Sequence, residues 1–147
     1  MKPYTVSIEI DAPRERVVAM FDDVKLLSRW QTGLESVELL DGVAGQVGAR
    51  SKLTFINGKQ RIELFETVTA RDLPDSCAGE YEWSTGRNTL ENRFIELGPN
   101  RTRYESTCSY EFSSLMLKFM GFAVPGMFRK QNQKFLDNFK EMVESST

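Results

Sequence analysis

At 147 residues, with 40% hydrophobic and 11% aromatic side chains, the chain suits one domain able to bury roughly 70% of its unfolded surface. Its 19 basic and 21 acidic residues are intermixed and leave a formal net charge of −2, so no basic footprint for nucleic acid stands out. Histidine is absent, which excludes Ser-His-Asp and Cys-His catalysis, histidine metal sites and a histidine pH switch.

Tyr4, Val6, Ile8 and Ile10 alternate with polar residues, the signature of a half-buried strand. Asp11 is then expected to cap a helix with Pro13, Glu15 and Arg16 in its first turn and Val17, Met20 and Phe21 on its apolar face. A second short helix follows over Val24 to Trp30, with Asp22 or Asp23 near its start. After Thr32-Gly33 the pattern turns to strands: Leu34–Leu40, Ala49–Ile56, Gln60–Ala70, Cys77–Ser84, Asn88–Leu97 and Thr102–Phe112. Asp41-Gly42, Asn57-Gly58, Pro74-Asp75, Thr85-Gly86 and Pro99-Asn100 supply turns, and such short connections imply an antiparallel meander. Glycines 42, 45 and 48 lie between two strands rather than at a strand-to-helix turn, so they mark a hairpin loop and not a phosphate cradle.

The chain closes in a helical segment from about Ser114 to Val143, interrupted by Gly121, Pro125 and Gly126. Proline disfavours a helix interior by about 3 kcal/mol, so Pro125 is expected to open a new helix at its first position. The apolar piece before it is expected to be either a lid or a static kink. One terminal helix covers a seven-stranded sheet only if the sheet curves around it, and that wrap leaves internal space.

The segment "IEIDAPRERVVAMFDDVKLLSRWQTGLESVELLDG" resembles the opening of the START-like, or SRPBCC, superfamily: a strand, the Ala12-Pro13-x-x-x-Val17 helix start, Trp30 ending the second helix, and a glycine-bearing turn. "ETVTARDLP" and "PGMFRKQNQKFLDNFKEMVE" are similar to that superfamily's fourth strand and last helix, so the resemblance covers essentially the whole chain as a single domain, 1–147. It implies an α+β helix-grip fold: a curved seven-stranded antiparallel sheet wrapped around a long C-terminal helix, two short helices after strand 1, and a hydrophobic cavity. Members of the superfamily include lipid carriers, polyketide cyclases, hydroxylase subunits and chaperone co-activators, so the fold leaves activity open.

Strand parity sorts the side chains that would face that cavity. Leu53 and Phe55 share one parity, as do Ile62, Leu64, Glu66, Val68 and Ala70. Cys77, Gly79, Tyr81 and Trp83 follow, then Leu90, Asn92 and Phe94, then Tyr104, Ser106, Cys108, Tyr110 and Phe112. A bulge would flip part of this set. Glu66 is the acidic side chain on the inner parity, and with a raised pKa it is the candidate general acid or base, with Tyr81 or Tyr110 as partner. Ordinary hydrogen bonding among buried polar groups would explain the same residues without chemistry. On the terminal helix, Val124, Phe128, Phe135, Phe139 and Met142 form a stripe, with Gln131 expected inside as a polar handle and Asn132 expected in solvent. Trp30, Met116 and Met120 complete the expected lining, the methionines as adaptable packing.

Three functions follow from these expectations. One is binding of a hydrophobic or amphipathic, lipid- or polyketide-like small molecule in the cavity. Another is a cofactor-free cyclase, dehydratase or hydrolase using Glu66 with interior tyrosines. The third is a protein-interaction or homodimerisation module through the apolar 115–128 segment. Cys77 and Cys108 are too few and too far apart for a disulfide framework or zinc ribbon, so neither metal nor cofactor is expected. No apolar run is long enough to span a bilayer, and the first residues lack a signal-peptide core, so a cytoplasmic location is expected.

Overall fold

The computed structural model describes residues 2–113 and 123–146, with side chains from residue 126 in the second stretch. Strand β1 (Tyr4–Ile10) leads into helix α1 (Arg14–Phe21), a 3-10 turn (Val24–Leu26) and helix α2 (Leu27–Trp30). Six strands follow: β2 (Leu34–Asp41), β3 (Arg50–Asn57), β4 (Gln60–Asp72), β5 (Ser76–Trp83), β6 (Gly86–Gly98) and β7 (Arg101–Phe112). Helix α3 (Ala123–Ser145) ends the fold. Every strand lies within a residue or two of where the alternation and turn signals put it, because short polar turns separate runs with clear period-2 patterning.

The seven strands form one antiparallel sheet in the order β1-β7-β6-β5-β4-β3-β2. Consecutive strands are neighbours from β2 to β7, and β1 closes the array by pairing with β7, Tyr4 opposite Cys108 and Ile10 opposite Thr102. Helix α3 packs against β1 and α2. At the end of the sheet nearest α1, Ile10, Val17, Phe94, Tyr104, Phe139 and Val143 form a solid apolar core. The Phe21 ring meets Phe94, Tyr104 and Phe139 there with centroids 4.9, 5.7 and 6.3 Å away, all edge-on.

Two local expectations are corrected. Asp11 does not cap α1: Pro13 occupies the N-cap, no side chain bonds there, and the Asp11 backbone N–H instead donates to Glu144 Oε2 at 2.8 Å, tying the start of the chain to α3. Asp23 does cap the following 3-10 turn, accepting from the Lys25 backbone N–H at 3.0 Å. Pro125 sits in the first turn of α3 rather than at its first residue, still among the backbone positions whose N–H has no intrahelical partner. The expected lid over 114–126 falls largely outside the described residues.

Candidate functional site

A cavity of about 270 Å³ lies between the inner face of the sheet and helices α1, α2 and α3. This is just under the range of roughly 300–1,000 Å³ usual for small-molecule sites. The register builds its wall as three rows across the strands. The first aligns Arg71, Cys77, Asn92 and Ser106. The second aligns Val68, Gly79, Leu90 and Cys108. The third aligns Ser51, Glu66, Tyr81, Asn88 and Tyr110. An apolar band is therefore flanked by two polar ones. Gly79 stands in the middle of that band, where a Cβ would come within 3.2 Å of the Thr67 carbonyl and 3.8 Å of the Tyr81 ring, so glycine lets those groups pack close. Trp30, Leu27, Phe135 and Leu136 cover the opposite side.

In the third row Tyr81 Oη donates to Glu66 Oε2 at 2.6 Å. Burial pushes the Glu66 carboxyl above its ordinary range, and the bond from Tyr81 opposes that shift without cancelling it. Burial likewise raises the Tyr81 phenol well above its usual value, reinforced by the neighbouring Glu66 charge. In the first row the buried Asn92 Oδ1 accepts from Tyr104 Oη at 2.9 Å and Ser106 Oγ at 3.1 Å, which fixes the amide orientation. At the end of that row Arg71 grips Asp22 with two bonds of 2.9 and 2.7 Å and donates to the Gly45 carbonyl at 3.0 Å. This joins the end of α1 to the β2–β3 loop beside the cavity. Gly45 has φ +79°, and a Cβ there would stand 3.1 Å from the Arg71 guanidinium, so glycine serves both the turn and the close approach.

A second polar knot lies where α3 crosses β1 and β7. Asn132 Nδ2 donates to Tyr4 Oη, to Tyr110 Oη at 3.1 Å and to Cys108 Sγ at 3.2 Å, and Tyr4 Oη donates to Tyr110 Oη at 3.3 Å. Burial pushes the Cys108 thiol up to about 11, and Cys77 also to about 11 for the same reason, so both are poor nucleophiles at neutral pH.

Of the residues expected to face the ligand, Trp30, Leu53, Glu66, Tyr81, Asn92, Tyr104 and Ser106 line the cavity. Others pack elsewhere. Phe94 belongs to the solid core, and Phe55 stacks on Phe135 at 6.4 Å. Leu64 is half-buried farther along β4, and Ile62 beyond it is 38% exposed at the strand's outer end. Trp83, Tyr110 and Phe128 form a separate aromatic cluster with Phe112. Tyr110 therefore does not share the proton of Glu66: two strands, β5 and β6, lie between them in their common row. Cys108 is buried in the Asn132 knot. Gln131 is exposed and Asn132 takes the inward position, the reverse of expectation. The buried line of α3 runs Asn132–Leu136–Phe139–Val143, a steady i, i+4 and i+3 phase that leaves residue 131 on the rim. Ala70 is exposed because the β4–β5 register shifts between Val68 and Ala70, and that bulge turns Arg71 inward. Met116 and Met120 lie outside the described residues.

A seven-stranded antiparallel sheet grasping a C-terminal helix, with a cavity between them, defines a helix-grip protein of the START-like class. The chain belongs to the polyketide cyclase/dehydrase and lipid transport family, whose profile matches residues 1–144. Among solved structures, it is similar to a START superfamily protein from Mycobacterium smegmatis, with TM-score 0.83 and 13% identity over 99% of both chains. It is also similar to the Zhui aromatase/cyclase from Streptomyces sp. R1128, with TM-score 0.78 and 14% identity over 97% of this chain and 93% of that one. A further match, 31% identical over 83 residues, is to the UDP-N-acetylenolpyruvoylglucosamine reductase of Mycobacterium tuberculosis. It covers 56% of this chain and 22% of the reductase, so the chain spans about a fifth of the length of the curated relatives it matches. Among the described residues, no helix is long and apolar enough to cross a membrane.

Proposed function

We propose that this chain binds a hydrophobic or amphipathic small molecule, lipid- or polyketide-like, in the cavity between the sheet and α3. The observation that carries the reading is the banded wall of the cavity: an apolar row through Val68 and Leu90, flanked by rows that offer a carboxyl–phenol pair and a fixed amide. Such a surface holds an apolar body by burial and orients it by a few polar contacts. Native mass spectrometry of the protein purified from its own host tests it. A co-purified mass lost on denaturation is expected, and a chain that returns apo and takes up no hydrophobic ligand in a titration would contradict it. The two free cysteines support a reducing, cytoplasmic setting, and the mixed surface charge favours a small molecule over nucleic acid as partner.

A second reading, acid–base catalysis, is favoured by the Glu66–Tyr81 pair. A carboxyl whose proton affinity is raised by burial, with a phenol bonded to it at 2.6 Å, is placed to pass a proton to or from a bound ketone or enol. Under this reading Glu66→Gln keeps ligand binding but removes turnover, whereas under simple carriage no turnover exists to lose.

A further inference from the structure

The two polar rows of the cavity wall differ in what they leave unpaired. In the row through Cys77 and Ser106, Asn92 Oδ1 accepts from the hydroxyls of Tyr104 and Ser106, which turns Nδ2 the other way. Cys77 stands on that side, where the Asn92 amide offsets part of the rise that burial gives the thiol. Sulfur is a weak acceptor, and no oxygen or nitrogen among the described residues accepts from Nδ2. Nδ2 is nevertheless not sealed in the interior: among the described residues, Trp30 Nε1 is the one enclosed side-chain nitrogen or oxygen without a partner. The surface left to Nδ2 therefore opens on the cavity that Asn92 lines. In the row through Glu66, Tyr81 Oη donates to Oε2 and leaves Oε1 without a partner. Oε1 is likewise not enclosed, and Ser51, aligned with Glu66, brings a hydroxyl to the same end of the cavity. Val68 and Leu90 lie between the two rows. Cys77 and Tyr81 stand four residues apart on β5, which separates the rows by about 13 Å along the strand.

We propose that the cavity recognises its ligand at both ends: a small flat ring system lies on Val68 and Leu90, an oxygen at one end accepts from Asn92 Nδ2, and a hydroxyl at the other bonds Glu66 Oε1. The ligand class is a compact oxygenated ring compound, with a hydroxyl at one end and a carbonyl or ether at the other, rather than a plain hydrocarbon. This deepens the binding function proposed above and rests on it. The chemistry of each end follows from the protein group that meets it. The amide nitrogen only donates, so it calls for an acceptor, whereas a hydroxyl both donates and accepts and suits the carboxyl in either protonation state. A ligand of equal shape that lacks one of the two oxygens leaves a protein group unpaired beneath it. A space of about 270 Å³ suits a body of that size.

Matched naphthalenes test this by calorimetric titration of the full chain. 6-Methoxy-2-naphthol carries both groups, 6-ethyl-2-naphthol lacks the ether oxygen, and 2-methoxy-6-methylnaphthalene lacks the hydroxyl. 3-Methoxy-2-naphthol keeps both oxygens but holds them at one end. The first probe is expected to bind about tenfold more tightly than each of the others, the effect of one buried hydrogen bond. Asn92→Asp keeps Oδ1 for Tyr104 and Ser106 and puts an acceptor where the donor was. It is expected to abolish the preference for methoxy over ethyl and to retain the preference for hydroxyl over methyl. Glu66→Leu combined with Tyr81→Phe removes the carboxyl and the phenol together, leaves no stranded hydroxyl, and is expected to do the converse. The probe series in the unaltered protein decides the question even where a variant fails to fold. Equal binding of all four probes overturns recognition at two ends and leaves the cavity reading intact. Binding of none of them overturns both.

Discussion

Glu66 is a carboxyl held among Val68, Leu53 and Gly79 with a phenol as its close partner, and burial sets its proton affinity. Its folded pKa lies above the value of about 4.3 expected in the unfolded chain. Between those two values the folded state holds the proton while the unfolded state has released it, so stability falls as pH rises across that window. Above the window the penalty is constant, and below about pH 4 it vanishes because both states are protonated. Glu66→Gln keeps an acceptor for Tyr81 and cannot ionise. Its melting temperature is expected to exceed that of the unaltered protein at pH 7 and to match it near pH 4, a comparison that differential scanning calorimetry makes directly. Asn92 works in the opposite sense, as a neutral group whose value lies in what it accepts. Removing it in Asn92→Ala strips the buried hydroxyls of Tyr104 and Ser106 of their acceptor, at a loss of roughly 1–3 kcal/mol for each group left unsatisfied. Urea denaturation is expected to show that loss, and adding Tyr104→Phe to the variant is expected to recover part of it.

At the scale of elements, the bulge in β4 decides which groups the cavity receives. Alternation read straight through "TVTARD" puts Ala70 inside, but the register shift after Val68 exposes Ala70 and delivers Arg71 to the site instead. A bulge has no side-chain signature in one sequence, so Arg71 and its partner Asp22 were invisible there, while Glu66, Tyr81, Asn92 and Ser106 were legible from period-2 patterning alone. Helix phase produced the other miss. Aromatic residues drew the stripe through Phe135, whereas the buried line through Leu136 and Val143 turns Asn132 inward. The fold itself was legible nearly in full, because turns, strand lengths and period-2 patterning all pointed to one meander. The Arg71 bridge suggests its own measurement. A partly exposed ion pair contributes about 0–1 kcal/mol, so Arg71→Ala is expected to leave global stability nearly unchanged. It also releases the Gly45 carbonyl and the end of α1 from each other. Hydrogen exchange of backbone amides in residues 43–48 is then expected to quicken, while amides of β5 and β6 keep their rates.

On the scale of the whole molecule, apolar packing is graded from one end of α3 to the other. Leu136, Phe139, Met142 and Val143 are buried against β1, α1 and α2, and Phe139 at 0% exposure touches the rings of Phe21, Trp30 and Tyr104. Toward its start the same helix shows Met127 at 67% exposure and Arg129, Lys130 and Gln131 in solvent. The cavity lies between these regimes, bounded by Asn132, Phe135 and Leu136. The solid end anchors the helix and the sparse end can yield without unfolding the rest, since local opening is governed by how much apolar surface each turn buries. Phe139→Ala removes a fully enclosed ring from the junction of four elements, and a loss of about 3–5 kcal/mol is expected. Hydrogen exchange in the unaltered protein is expected to show the same gradient without mutation: amides of residues 128–131 exchange by local opening, orders of magnitude faster than those of 139–143, which wait for global unfolding. A saturating ligand in the cavity touches Phe135 and Leu136, so it is expected to slow exchange from residue 132 toward the sparse end. Uniform protection along the whole of α3 in the ligand-free protein would contradict this division of labour between anchor and cavity wall.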